Sequence, residues 1–347
     1  MDFPSPAAGK GAAPNVLMYV GRLRAAMPRV DVIAYNPTEV LEEHDVTVGR
    51  ARELVEKYSV TWVDIVDASG RTLEELETLF GFHPLALEDS VNQDLSPKFE
   101  TYDDVVFVVA RLIVWAEEIE TDQLSMFISR KFVVTLHEKV FPQLEDVRIR
   151  LRKRMPKMVK SGADYLAYTI LDVVVDSYSP HLDRFQDIVD RLESEIVGNP
   201  TGTGISKIHE VRKDITLLRN ALRPERDVLG NLSRLELPVF KKETRNYIRD
   251  VQDHMVRALD TLDTLREIAT SLMEVQATLS DIQLNQIIKV LTVLFTVTLP
   301  LSIVTSAFGM NVLFPGFNAA EGLYAALALM VIPTIAIILW LRRKKWL

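Results

Sequence analysis

The 347-residue chain sets 40 Lys plus Arg against 48 Asp plus Glu, for a formal charge of −8, and 48% of it is hydrophobic. Glu321, Arg342, Arg343, Lys344 and Lys345 give residues 290–347 a charge of +3, so residues 1–289 carry −11. That acidic front argues against nucleic acid as a partner, and the absence of cysteine excludes disulfides, a thiolate nucleophile and Cys-ligated zinc.

Residues 1–15, MDFPSPAAGKGAAPN, are small and Pro/Gly-rich without an apolar core, and read as a disordered leader rather than a signal peptide. Residues 16–160 alternate β-like and helical runs. WVDIVDA (62–68), DVVFVVARLIVW (104–115) and KFVVTLHE (131–138) read as strands. TLEELETLFG (72–81) reads as a helix opened by a capping box of Thr72 and Glu75. The mixture predicts an α+β cytoplasmic domain, α/β/α-like in its layering. Residues 161–238 read as a helical region interrupted at GNPTGTG.

No catalytic pattern emerges from this front part. The histidines at 44, 83, 137, 181, 209 and 254 lack metal-binding spacing, and there is no P-loop, no GxGxxG after a strand and no serine elbow. Neither enzymatic activity nor an organic cofactor is expected. His83 beside Pro84 and His137 after a strand read as structural. Carboxylates in ALEDS (86–90) and YIRDVQDH (247–254) stand among apolar residues, a weak signal because most carboxylates are simply solvated.

No proline lies between Pro238 and Pro300, and no glycine between Gly230 and Gly309. Without breakers, residues 239–311 predict one stalk helix that continues into a membrane span at about 290–311, bent locally at Pro300. Its apolar residues Ile248, Val251, Met255, Ala258, Leu262, Leu265, Ala269 and Leu272 step by three and four, and Val275, Leu279 and Ile282 continue the rhythm. Such a seam predicts packing between neighbouring copies.

VLTVLFTVTLPLSIVTSAFGM (290–310) and LYAALALMVIPTIAIILWL (323–341) each approach the ~20 residues that a bilayer core requires. Residues 312–322 join them as a hairpin whose loop lacks Lys and Arg, while Lys289 and the tail 342–347 flank its other side. The positive-inside rule then places both chain ends in the cytoplasm and the loop outside. A hairpin has no interior, so the pair is either an anchor or one part of an oligomeric pore. Thr292, Thr296, Thr298, Ser302, Thr305 and Ser306 lean towards the pore, although each hydroxyl can also bond its own backbone.

The stretches VDIVDASGRTLEELETLFGFHPLALEDSVN, YIRDVQDH, LNQIIKVLTVLFTVTLPLSIVTSAFGMN and RRKKWL resemble the CorA magnesium transporters, from about residue 60 to the end. Gly309-Met310-Asn311, closing the first of two C-terminal spans, is that family's hallmark. The resemblance implies a homopentameric, funnel-shaped channel in the cell (inner) membrane, in contact with lipid. It would pass Mg2+, and with it Co2+ or Ni2+, passively inward.

In that frame Gly309, Met310 and Asn311 form the selectivity filter. Mg2+ is octahedral and dehydrates reluctantly, and a ring of neutral amide oxygens can accept hydrogen bonds from its water shell without trapping it. Projected onto the helix, the pore face takes Asn285, Ile288, Leu291, Thr292, Phe295, Leu299, Ser302 and Ser306, with bulky Phe295 unexpected there. Lys289, Arg342, Arg343, Lys344 and Lys345 match the family's basic collar. Regulatory Mg2+ would lie between cytoplasmic domains, at Asp89 and a neighbour's Asp250, with Glu88 and Asp172 at a second site.

The sequence departs from the family after Asn311: VLFPGFNAAEG replaces an acidic Met-Pro-Glu-Leu type motif, and Glu321 is its only charge. The alternatives are a zinc transporter of the same superfamily, or a membrane-anchored signalling or scaffold protein without transport. The lack of cysteine and of clustered histidine favours a hard cation.

Overall fold

The computed structural model describes residues 28–93, 95–115, 119–198, 204–310 and 320–346. The leader 1–15, Asn311 and the loop residues 312–319 lie outside the described residues. Two compact units are present, one of Met1–Asp190 with His209–Ala269 and the other of Arg191–Ile208 with Thr270–Leu347.

In the first unit, β-branched and aromatic runs build a seven-stranded sheet. Its strands are β1 (Arg29–Tyr35), β2 (Val40–Glu43), β3 (Val60–Val66), β4 (Lys98–Tyr102), β5 (Val105–Trp115), β6 (Ile119–Ile128) and β7 (Phe132–His137). The order is β2-β1-β3-β7-β6-β5-β4, and only β3 and β7 pair in parallel, with Trp62 opposite Val133 and Asp64 opposite Thr135. The strands expected at 62–68, 104–115 and 131–138 correspond to β3, β5 and β7.

Alternation along the strands sends side chains to two faces. On one face Val63, Ile65, Phe107, Phe127 and Val134 pack with α1 (Val48–Lys57), α2 (Gly70–Phe80) and α3 (Pro84–Val91). Against the other lies α6 (Ala163–Asp176), flanked by α4 (Leu144–Arg152) and the short α5 (Pro156–Lys160). The layering is therefore helix–sheet–helix, as expected.

The start of α2 differs from the sequence expectation. Its N-cap is Ser69, whose Oγ accepts from Thr72 N–H, so the capping pair is Ser69 and Thr72 rather than Thr72 and Glu75. Gly70 at the first helical position disguises that start. His83 caps α3 through Nδ1, which accepts from Leu85 N–H. Buried His137 lies 2.9 Å from Asp64 Oδ1, and Arg148 and Thr135 also bond that carboxylate. Burial opposes the shift most strongly, yet His137 and Arg148 hold the Asp64 carboxyl below its usual range.

Three long helices follow: α7 (Ser179–Gly198), α8 (Gly204–Arg234) and α9 (Lys242–Gly309). α9 runs 68 residues without a break, through Pro300, or ~100 Å at 1.5 Å per residue. In its first part Ile248, Val251, Met255, Leu262 and Leu265 are fully buried by their own chain. As far as Leu272 the seam expected to join neighbouring copies is covered from within, whereas Val275 and Ile282 are exposed. Leu218, Leu222 and Leu229 of α8 are buried as well, Arg219 pairs with Asp263, and the Gln252 amide sits where a Cβ on Gly230 would lie.

One buried acid sits in the packed unit away from any exposed site. Glu225 Oε2 accepts from Arg111 N–H at 3.2 Å and Tyr178 O–H at 3.0 Å, and Oε1 has no partner among the described residues. Burial pushes its carboxyl up to about 7.

Candidate functional site

α10 (Ala320–Arg343) follows α9, and each of the two contains a segment long and apolar enough to cross a membrane. Their apolar surfaces are left uncovered: Val290, Phe295, Leu299, Leu323 and Ile332 are all more than half exposed. Val304, Ala326 and Leu341 are the buried apolar residues of this hairpin among those described.

Every residue projected onto the pore face is exposed in the single chain: Asn285, Ile288, Leu291, Thr292, Phe295, Leu299, Ser302 and Ser306. The threonines bond their own helix, as helical i−4 back-bonding allows. Thr292 donates to Ile288 O, Thr296 to Thr292 O, Thr298 to Leu294 O and Thr305 to Leu301 O, at 2.6–2.9 Å. Ser302 and Ser306 show no such bond among the described residues.

At the C-terminal end of α9 Met310 is exposed, and its N–H bonds Ala307 O at 3.4 Å as the helix stops. A Cβ added to Gly309 would meet nothing within 4 Å. Nothing in the packing of the described residues therefore demands glycine at that position. Towards the start of the span Lys289 Nζ donates to Lys345 O at 3.2 Å, so the two segments expected to form a basic collar meet within one chain. Arg342, Arg343, Lys344 and Lys345 are exposed.

The regulatory candidates separate into two places within the packed unit. Asp89, near the end of α3, is paired with Lys98 Nζ at 2.6 Å, and Lys98 also holds Glu100 at 3.0 Å. Glu88 beside it is exposed. Neither residue joins Asp172 or Asp250 in a metal-capable group among the described residues.

Asp172 and Asp250 lie elsewhere, along the contact of α6 with α9. Asp172 and Asp176 are one turn apart on α6, and with His254 of α9 they offer ligand atoms that all lie within 4.8 Å of one another. His254 Nδ1 is 3.1 Å from Asp176 Oδ1, and Nε2 is 3.8 Å from Asp250 Oδ2. Burial, and next the Asp176 carboxylate, push the Asp172 carboxyl up; Asp250 adds to this, and Arg150, 3.8 Å away, opposes it.

Sequence reasoning missed Asp176 and His254 as members of this group. The available signal was a pair of i,i+4 spacings, Asp172/Asp176 and Asp250/His254, on two helices. Two carboxylates and an imidazole with one stripped, crowded acid form a donor set that suits a divalent cation.

The same α6–α9 contact fixes the start of α9. Asp164 Oδ2 accepts from Lys241 N–H at 3.2 Å and from Thr244 O–H at 2.5 Å. This places a carboxylate at the positive end of the helix dipole, where it satisfies donors that the helix leaves unpaired.

Comparison with known proteins bears on the fold and the family. Residues 57–343 match the family described as CorA-like Mg2+ transporter protein. The cobalt/magnesium transport protein CorA of Thermotoga maritima is 31% identical over all of both chains. The zinc transport protein ZntB of Yersinia pseudotuberculosis is 25% identical over 74% of this chain and 78% of its own. Among solved structures, the CorA magnesium transporter of Methanocaldococcus jannaschii superposes with a TM-score of 0.80 at 25% identity, covering 92% of this chain and 98% of that one. The chain belongs to the CorA-like Mg2+ transporter protein family.

Proposed function

We propose that this protein carries Mg2+, and also Co2+, passively into the cell, as a homopentamer whose first membrane helices line the pore. The observation that carries the reading is the uncovered pair of apolar spans, the first ending at Gly309-Met310-Asn311. The full-length relative named for cobalt and magnesium, set against a more distant one named for zinc, supports the hard cation.

A single hairpin cannot enclose a polar path, so the exposed face of α9 needs further copies around it. Five Asn311 amides form the outer ring and hold a hydrated ion through its waters. Ser302 and Ser306, whose hydroxyls are not spent on their own helix, supply polar steps, and Ile288, Leu291 and Leu299 supply apolar constrictions. An inside-negative potential drives each divalent ion inward with ~4.6 kcal/mol per 100 mV. Both termini are cytoplasmic, and the basic collar of Lys289 and residues 342–345 rings the inner mouth.

Regulation follows from the acidic sites. When Mg2+ is plentiful, it neutralises the Asp172–Asp176–His254 group and bridges Asp89 to a neighbour's Asp250, holding the closed state. When it is scarce, the carboxylates repel and the assembly loosens.

Uptake by the purified protein in proteoliposomes, with Mg2+, Co2+ and Zn2+ compared, tests the reading. Asn311→Ala and Gly309→Ala are each expected to cut Mg2+ uptake by about tenfold or more, ~1.4 kcal/mol at the barrier. Gly309→Ala should do so without lowering the melting temperature. Uptake unchanged in Asn311→Ala would refute the filter, and a preference for Zn2+ would favour the zinc branch.

A further inference from the structure

Next to the Asp172–Asp176–His254 group, on the same pair of helices, lies a cluster of three tyrosines, two of which hold one exposed lysine. Tyr165 and Tyr168 come from α6 and Tyr247 from α9. The ring centroids are 5.2 Å apart for Tyr165–Tyr168, 5.7 Å for Tyr165–Tyr247 and 5.2 Å for Tyr168–Tyr247. Lys157 of α5 enters this cluster. Its Nζ lies 4.0 Å from the Tyr247 ring centroid and 5.5 Å from that of Tyr165, and it donates to the Tyr247 hydroxyl.

Three features set this lysine apart from an ordinary surface cation. It is exposed and has no carboxylate partner among the described residues; its contacts are the Tyr165 and Tyr247 rings and the Tyr247 phenol. Its base is fixed: Met158 and Val159, the next two residues, are buried, and Met158 Sδ accepts from the Thr169 hydroxyl of α6 at 3.4 Å. The ring cluster also lies within the field of the acids, because Asp172 and Asp250 both act on the Tyr168 phenol.

Spacing along the helices relates the cluster to the ion group. Tyr168 stands one turn before Asp172 on α6, and Tyr247 stands two turns before His254 on α9. An ammonium held against rings from both helices therefore fixes their mutual position a short distance from the ligands. Mg2+ tolerates little error in ligand distance, so a shift of about 1 Å in one helix would open the group. Cation–π contacts of this kind are worth enough to set such a position.

We propose that Lys157 is a positioning residue for metal sensing: set against Tyr165 of α6 and Tyr247 of α9, it holds α9 against α6 in the register that Asp172, Asp176 and His254 need to share one divalent cation. This rests on the reading of that group as a regulatory metal site.

The test uses the full-length protein in detergent, titrated with MgCl2 and followed by proteinase K protection and by the near-ultraviolet circular dichroism of tyrosine. Lys157→Met keeps the stem and removes the charge. It is expected to raise the half-protecting Mg2+ concentration about fivefold, equivalent to ~1 kcal/mol, and to abolish the metal-induced tyrosine signal. Lys157→Arg, which keeps a cation over the rings, should stay within about twofold of the wild type. A wild-type titration for Lys157→Met, or an equal loss in Lys157→Arg, overturns the proposal. Asp172→Asn with Asp176→Asn tests the underlying site separately: if that pair leaves protection unchanged, the sensor reading fails, whatever Lys157 does.

Discussion

The two parts of α9 spend the same kind of residue in opposite ways. Between Ile248 and Leu265 the apolar positions are buried against their own chain, most of them completely. Between Val290 and Ile303 residues just as apolar are left open, with Val290 67%, Phe295 65% and Leu299 59% exposed. In water the second pattern would be an aggregation hazard; with lipid and sister helices as surroundings, it is a surface waiting for its solvent. The contrast separates what the chain stabilises alone from the apolar surface it leaves uncovered.

The widest separation is expected from matched truncations. Leu265→Ala in the packed part should cost ~2–5 kcal/mol of stability, read as a lowered denaturation midpoint. Leu299→Ala in the open part should leave that midpoint nearly unchanged and alter Mg2+ uptake instead. Equal midpoint shifts for the two variants would erase the distinction.

Glu225 gives a smaller and pH-dependent test of the packed part. Its carboxyl titrates at about 7 when folded, above the ordinary 4.5, because burial disfavours the charge. Between those values the folded protein keeps a proton that the unfolded chain has released, so stability falls as pH rises from 4.5 to about 7 and stays low above it. Glu225→Gln should remove that fall. It should raise stability at pH 8 by ~1–3 kcal/mol relative to wild type and give little gain at pH 4, as thermal melts across pH would report.

The smallest effect concerns Asp89, already paired with Lys98. If Asp89 is a regulatory ligand, as proposed, an incoming cation competes with that ammonium. Lys98→Met should lower the half-protecting Mg2+ concentration about twofold to threefold, within the ~1 kcal/mol range of a partly exposed pair. A rise instead would mean that Lys98 positions Asp89 rather than competing for it.

Much of this was readable from residues alone where the physics is local. The spans at 290–310 and 323–341 follow from the demand of hydrocarbon for unbroken apolar length, and α9 from the lack of Pro and Gly. Strands β3, β5 and β7 show in their β-branched runs. The cap of α2 was misplaced because Gly70 and Arg71 hide the turn that Ser69 begins. The seam at 248–265 was legible as a seam, but its partner was not: a heptad-like stripe is the same whether α8 or another copy covers it. For the same reason Asp176 and His254 stayed unread, since nothing in one helix announces the side chains of the next.

Asp164 adds a mechanical consequence. By gripping the backbone and hydroxyl at the first turn of α9, it makes that end a fulcrum, so motion further along must be a swing rather than a slide. At 1.5 Å per residue, His254 lies ~18 Å from Lys242 and Ala269 lies ~40 Å from it. A displacement of ~1 Å imposed at His254 thus becomes ~2 Å by Ala269. On the proposed reading, an ion that moves the helix by ~1 Å at His254 shifts the far end of the packed segment by ~2 Å.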